Sequence, residues 1–215
     1  MHCALSLVNL PVSISQRLVD RPRIPVMTRN YSQFRLRYAA DVLYSGGVVS
    51  HPTEAVWGLA ALPSNPVAVR KILQMKKRDP AKGLVLVADS VQRVAELLAH
   101  LPEDRREIVV ASWPGPVTWV IPDQDLLPVW VRGSFESVAI RVSDHPLTSA
   151  LCHAVDSWLI STSANPVALP PARNQRQVQR YFGTQLDYIL PGATGERSQP
   201  SEIRDALNGE ILRPG

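Results

Sequence analysis

Short apolar runs that give way to clusters of polar side chains set the tightest limit on how this chain can fold. The first is Gly47-Val48-Val49, followed by S-H-P-T-E-A-V-W-G over residues 50–58. A strand that stops at Pro52 and carries Thr53 and Glu54 on the loop beyond it puts polar groups at a sheet edge. Open α/β folds hold their ligands there. Pro-Thr-Glu alone fits any turn. Three further polar stretches follow apolar runs later in the chain, and the four together predict one shared site.

The punctuation between these runs predicts a single mixed α/β domain. Ser32 is placed to cap a helix running to about Ser45, with Gly46 as its stop. A strand is expected over 47–51. Asn65-Pro66 reads as a helix start, Asn as N-cap and Pro in the first turn. Val67, Val69, Ile72, Leu73 and Met75 then give the expected buried face and leave a Lys-rich end pointing at the next loop. Gly83–Ala88 is fully apolar and predicts a strand, and Ser90 opens a helix to about His100. A further helix is expected near 103–112, ahead of Trp113-Pro-Gly-Pro116, which breaks regular structure. Strands are predicted at 117–121, 137–142, 157–161, 187–190 and 210–213, with helices at 146–155 and 174–182.

Composition narrows the functional classes. No run reaches the ~18 apolar residues needed to cross a membrane. Cys3 and Cys152 lack metal-ligand or redox spacing, and Cys152 in an apolar helical stretch reads as a buried thiol. A reducing, cytoplasmic setting fits. The formal net charge is +4. Residues 1–26 contain three of the arginines against Asp20, mixed with Pro11, Pro22 and Pro25 and without sustained periodicity. They read as a disordered extension, with the domain spanning 27–215 and Met27 as the natural start.

Local charge says more than the net figure. Lys71, Lys76, Lys77, Arg78 and Lys82 lie close together with only Asp79 against them. Lys and Arg at a helix end complement its dipole, which is one account of the cluster. The other is a polyphosphate clamp, Arg78 forking onto phosphate oxygens while Lys76 and Lys82 act as point charges. The chain has no G-x-x-x-x-G-K-[ST] loop, so a nucleotide would be held by side chains of this kind. Arg141 stands inside the apolar strand Val138–Val142 and needs an acidic partner, either an internal Asp or Glu or a ligand anion. Ser161-Thr-Ser-Ala-Asn165 forms a rim of donors and acceptors suited to phosphate or sugar hydroxyls, or an ordinary helix-capping turn. Neither a G-x-S-x-G elbow nor a metal-ligand spacing occurs, and the scattered histidines read as structural.

Taken in order, the stretches P-T-E-A-V-W-G-L, K-K-R-D-P-A-K-G-L, S-W-P-G-P-V-T, V-A-I-R-V-S-D-H-P, S-T-S-A-N, P-S-E-I-R-D-A-L and L-R-P-G resemble the YrdC-like family of threonylcarbamoyl-AMP synthases, in its short single-domain bacterial form. The resemblance covers about residues 34–215. It implies an α/β domain with a twisted mixed sheet, flanking helices and a basic concave groove. The implied reaction joins ATP, L-threonine and bicarbonate or CO2 into threonylcarbamoyl-adenylate and pyrophosphate. The product would supply a tRNA-modifying threonylcarbamoyl transferase complex, with weak tRNA contact compatible and no membrane.

Carried onto this chain, the family roles give Thr53, Arg141 and Ser201 to threonine. Lys76, Thr118, Ser161, Ser163, Asn165 and Arg213 go to ATP, with Arg78 and Lys82 near its phosphates. No permanent cofactor is implied; Mg2+ would arrive with ATP. Many relatives have Thr where this chain has Ala55, and Tyr or Phe where it has Trp57. A histidine that longer relatives carry after the basic loop is missing from Gly83–Ala88. Two other readings stay open at this level. One is a non-catalytic double-stranded RNA or tRNA-binding module, supported by the cation cluster and a pI near 9.3. The other is a carbamoyl-adenylate-forming domain, usually embedded in a much longer chain.

Overall fold

The computed structural model describes residues 31–215. The extension expected at 1–26 and the start expected at Met27 lie outside the described residues. Helix α1 (Gln33–Tyr44) begins where Ser32 Oγ accepts from the Arg35 amide and turns Leu36, Ala39, Ala40 and Leu43 inward. That spacing of three and four residues is one stripe of an α-helix. Strands β1 (Val49–Pro52) and β2 (Trp57–Ala61) pair antiparallel around the Thr53–Val56 loop. Helix α2 (Pro66–Lys76) starts at Asn65, whose side chain accepts from the amides of Val67 and Ala68. Its buried stripe is Ala68, Val69, Ile72, Leu73 and Lys76. Val67, expected in that stripe, is 67% exposed, because the helix buries the face one residue further on.

Beyond a 3₁₀ turn at Pro80–Lys82 come β3 (Val85–Ala88), α3 (Ala95–Leu98), α4 (Glu103–Ala111) and β4 (Val117–Pro122). Next are α5 (Val129–Arg132), β5 (Ser137–Val142), α6 (Pro146–Ala154) and β6 (Leu159–Ser163). The chain then forms α7 (Gln175–Phe182), β7 (Tyr188–Ile189), β8 (Glu202–Asp205) and β9 (Ile211–Arg213). The helix expected from Ser90 to His100 is broken into a 3₁₀ turn at Gln92–Val94 and the short α3. Strand β6 starts two residues later than predicted. Strands β2 and β8 and helix α5 were not anticipated: Gly58 weakens the strand signal of β2, and Glu202 and Arg204 give β8 a charged composition.

The strands form one mixed nine-stranded sheet in the order β7-β1-β2-β6-β3-β5-β4-β8-β9. Pairing is parallel at β1–β7, β3–β5 and β4–β8 and antiparallel elsewhere. Successive strand side chains point to opposite faces. Leu86 and Ala88 therefore join one core cluster and Val87, between them, the other. The first cluster lies under α2, α4 and α7, through residues such as Ile72, Val109 and Phe182. The second gathers Leu36 and Leu43 of α1 and Leu151 of α6 over Val49, Ala60, Val87 and Leu159. Burial on both faces explains why β3 reads as an unbroken apolar run.

Ile140 is fully buried at the centre of β5, between β3 and β4. Ile140→Ala should lower stability by about 2–5 kcal/mol, the usual cost of a buried aliphatic truncation. Urea unfolding at fixed m-value checks it.

Candidate active site

The register brings the sequence-separated polar residues onto one surface. Val87 pairs with Arg141 and Leu159, Ala60 with Ser161, Gly58 with Ser163, and Thr118 with Ile203. These residues share a sheet face. Helices α1 and α6 cover the part around Val87, Ala60 and Leu159. The part they leave uncovered holds Val85, Arg141, Ser161, Ser163 and Ile203, which line a cavity of about 290 Å³. The loop carrying Thr53 and Glu54 and the segment containing Arg197, Gln199 and Ser201 form its walls, with Arg78 and Arg213. The site thus lies on an open sheet face. Thr53 and Glu54 lie on the loop beyond Pro52 as expected, and the strands add polar groups of their own at alternate positions, Arg141, Ser161 and Ser163.

A buried ion pair joins the β1–β2 loop to β5. Arg141 Nη1 donates to Glu54 Oε1 at 2.5 Å, and Ser143 Oγ donates to the same oxygen at 2.5 Å. Both charged residues are 7% exposed. Burial pushes the Glu54 carboxyl up, but the Arg141 charge and hydrogen bond, with that of Ser143, outweigh it and hold the group at about 2. Of the two partners open to Arg141 from sequence, the internal carboxylate is the one present.

Thr53, 6% exposed, spends its hydroxyl hydrogen on the Val56 carbonyl at 2.8 Å, which closes the loop. Ser201 Oγ lies 2.8 Å from Thr118 Oγ1; Ser201 lines the cavity, while Thr118 is fully buried behind it. Arg213 also lines the cavity and donates to the Ser201 carbonyl at 2.7 Å.

The basic loop divides. Arg78 lines the cavity, held by Nε and Nη2 donating to the Gly83 carbonyl at 3.1 and 2.9 Å. Gly83 has φ +57, and a Cβ there would come within 2.6 Å of the Arg132 carbonyl oxygen. Lys82 lines an adjacent cavity of about 290 Å³ that shares Arg78, Val85 and Ile203 with the first. Lys76 lines neither cavity. Its ammonium donates to the Ser163 carbonyl at 2.5 Å and to the carbonyl and side-chain oxygens of Asn165 at 2.9 and 3.2 Å. Burial and then the Arg78 charge lower its pKa to about 8. Ser163 Oγ donates to Asn165 Oδ1 at 2.7 Å, while Asn165 Nδ2 donates to the Leu169 carbonyl at 2.8 Å. Asn165 therefore sits behind the cavity and shapes the loop that presents Ser163.

Of the expected residues, Thr53, Arg78, Arg141, Ser161, Ser163, Ser201 and Arg213 border one cavity. Lys76, Thr118 and Asn165 stand immediately behind it. Sequence reasoning left out Ser143 and Arg197, and placed Glu54 on the loop beside Thr53 without giving it a role. Glu54 had a signal, since a strand-embedded arginine requires an acid and P-T-E offers one. Arg197, in a loop without periodicity, had none. Among the described residues Glu54 is the only acid on the cavity wall, and it is engaged by Arg141 and Ser143. No cluster of three metal-ligating side chains occurs among the described residues.

A family model described as "Telomere recombination", covering Sua5, YciO and YrdC, matches residues 41–215. The chain belongs to the Sua5/YciO/YrdC family. It is 47% identical over 180 residues to a threonylcarbamoyl-AMP synthase of Cellvibrio japonicus, covering 84% of this chain and 95% of that one. A Pseudomonas aeruginosa protein of the same name is 48% identical over 183 residues, covering 85% and 98%. Among solved structures of the family, P. abyssi Sua5 carrying H234A/Y235A superposes with a TM-score of 0.82 at 26% identity, over 87% of this chain and 58% of that one. P. abyssi Sua5 complexed with L-threonine gives 0.76 at 26% identity, over 81% and 51%. This chain thus spans about half of the Sua5 proteins. E. coli YciO, at 17% identity and a TM-score of 0.76, shares the fold.

The Glu54–Arg141 pair makes a prediction about acid stability. A carboxyl held at about 2 against 4.5 for its ordinary value stabilises the fold fully above pH 4.5. That contribution is lost as pH falls from 4.5 towards 2. Glu54→Gln leaves a buried guanidinium without its counter-charge and should cost about 3–5 kcal/mol at pH 7. Denaturant midpoints of both proteins at pH 7 and pH 3 test this, since the variant should lose less on acidification.

Proposed function

We propose that this chain condenses L-threonine, bicarbonate or CO2, and ATP to threonylcarbamoyl-AMP and pyrophosphate. The observation that carries the reading is that the residues we give to threonine (Thr53, Arg141 and Ser201) and those we give to ATP (Arg78, Ser161, Ser163 and Arg213) line one cavity. The names of the relatives that match nearly end to end support it.

The reaction needs no protein nucleophile. The threonine amine captures CO2 as a carbamate, and a carbamate oxygen attacks the ATP α-phosphorus. The bond from that phosphorus to the bridging oxygen breaks, and pyrophosphate leaves. What the protein must supply is alignment of three reactants and counter-charge for the phosphates. Arg141, fixed by Glu54, presents its remaining N–H groups to the amino acid. Arg78 and Arg213 flank the triphosphate, and Ser161 and Ser163 offer hydroxyls to it. Lys76 locks the 163–165 loop and adds positive charge behind it. Among the described residues the walls do not fit a protein-held Mg2+, because their single carboxylate is spent on Arg141; Mg2+ enters as part of the ATP substrate.

The product is an activated carbamoyl group for transfer to tRNA by a threonylcarbamoyl transferase complex, in the cytoplasm. No helix among the described residues is long and apolar enough to cross a membrane. A non-catalytic RNA-binding module is disfavoured by the buried Glu54–Arg141 pair, which shapes a niche of small-molecule size.

The test is threonine-dependent pyrophosphate release by the purified protein and two of its variants. Arg141→Ala removes N–H groups that face the amino acid and leaves Glu54 a buried, unpaired carboxylate at that end. It should therefore raise KM for threonine at least tenfold, more than it raises KM for ATP, and lower stability by about 3–5 kcal/mol. Lys76→Ala should raise KM for ATP and spare threonine. In the wild type, ATP affinity should weaken as pH rises through about 8, where Lys76 loses its proton. Equal damage to both substrates in either variant would contradict the two-ended site.

A further inference from the structure

The amino-acid end of the cavity is short of positive charge. Glu54 and Arg141 neutralise one another, so the pair offers no net charge to an incoming anion. Yet the amino-acid substrate brings a carboxylate, and its amine gains a second negative group when it becomes a carbamate. Of the nucleotide-side cations, Arg78 is held on the Gly83 carbonyl, and Arg213 reaches the border between the two ends, where it is held on the Ser201 carbonyl. One further arginine lines this cavity, Arg197.

The backbone ties Arg197 to the loop that carries Thr53 and Glu54. The Gly195 amide donates to the Thr53 carbonyl at 3.0 Å, and the Arg197 amide donates to the Glu54 carbonyl at 3.2 Å. The segment 191–200 is thereby strapped across the loop that carries Thr53 and Glu54. A Cβ at residue 195 would come within 2.7 Å of the Glu54 carbonyl oxygen, so only glycine allows this approach. His145 Nε2, 3.1 Å from the Ala193 carbonyl, pins the strap a second time.

The Arg197 side chain is free to exchange partners. Its Nη2 donates to Asp144 Oδ2 at 2.8 Å, with the two side chains 42% and 36% exposed. A surface ion pair of this kind holds its members weakly. Asp144 does not line the cavity, whereas Arg197 does. We propose that Arg197 is an anion-binding residue of the amino-acid end, taking the substrate's carboxylate-type anion in exchange for Asp144. That anion is the amino acid's own carboxylate or the carbamate formed on its amine. The assignment rests on the threonine reading of this end of the cavity. Thr53 and Ser201 then supply the neutral contacts, and Arg197 the charge that Arg141 has already spent on Glu54.

Calorimetric titration of the full chain with L-threonine, with and without bicarbonate, tests the assignment on the wild type, Arg197→Ala, Arg197→Lys and Asp144→Asn. Arg197→Ala should weaken threonine on the order of tenfold, a span in keeping with one charge-assisted hydrogen bond. Arg197→Lys should restore part of the loss, and KM for ATP should stay level in all four proteins. Asp144→Asn removes the tether but keeps the cation, so it should bind threonine as tightly as the wild type or more so. Loss seen with threonine alone assigns the carboxylate; loss seen only with bicarbonate assigns the carbamate. Equal weakening in Arg197→Ala and Asp144→Asn would make Arg197 a tether and overturn the proposal, as would unchanged binding in Arg197→Ala. If the wild type released no threonine-dependent pyrophosphate, the functional reading itself would fall. Release with an indifferent Arg197→Ala would confine the failure to this residue.

Discussion

Glu54 and Arg141 lie 87 residues apart in the chain and 2.5 Å apart in the fold. Their pair ties the β1–β2 loop to the end of β5, across the sheet from one sequence half to the other. A buried charge without its partner costs about 3–5 kcal/mol, so neither residue tolerates the other's loss. The geometry of the amino-acid end follows from this contact. Thr53 is held beside Glu54, Ser143 closes on the same carboxylate oxygen, and the 191–200 strap hydrogen-bonds to the carbonyls of Thr53 and Glu54. The pair is also a constraint on charge. It fixes an arginine in the wall while cancelling it, so an anionic substrate must find its counter-charge elsewhere.

The other half of the design is a sheet covered unequally. One face is packed under α2, α4 and α7. The second is packed only where α1 and α6 reach it, and the remainder is open. Along β5 and β6 the alternate residues Arg141, Ser161 and Ser163 replace aliphatic side chains on that open part. The same strands turn Ile140 and Ile160 into the core on the other face. Site and core are thus built from adjacent residues of the same strands.

This arrangement explains what could be read in the sequence. Strand β5 was legible to its boundaries because Val138, Ile140 and Val142 recur at alternate positions between Gly133 and Pro146. The caps at Ser32 and Asn65 were legible from local chemistry, and both make the hydrogen bonds expected of them. Arg141 announced a partner but not which one, because pairing across 87 residues is set by topology. Strand β2 escaped notice because Gly58 lies where Thr53 and Thr162 approach its backbone. Lys76 read as a phosphate ligand from its charge. Its position on the buried stripe of α2, aimed at the 163–165 loop, depends on the helix phase, which was read one residue early at Val67. Arg197 left no trace, since only the strap's backbone contacts bring it to the wall.

The central claim is that one open sheet face joins an amino acid, a carbon dioxide unit and an adenylate. The most direct measurement is mass spectrometry of the cold-quenched product after incubating the protein with ATP, L-threonine and 13C-labelled bicarbonate. The account predicts an AMP adduct containing threonine and one labelled carbon, with pyrophosphate in equal amount and far less adduct when serine replaces threonine. Pyrophosphate formed without that adduct, or an adduct lacking the labelled carbon, would contradict it.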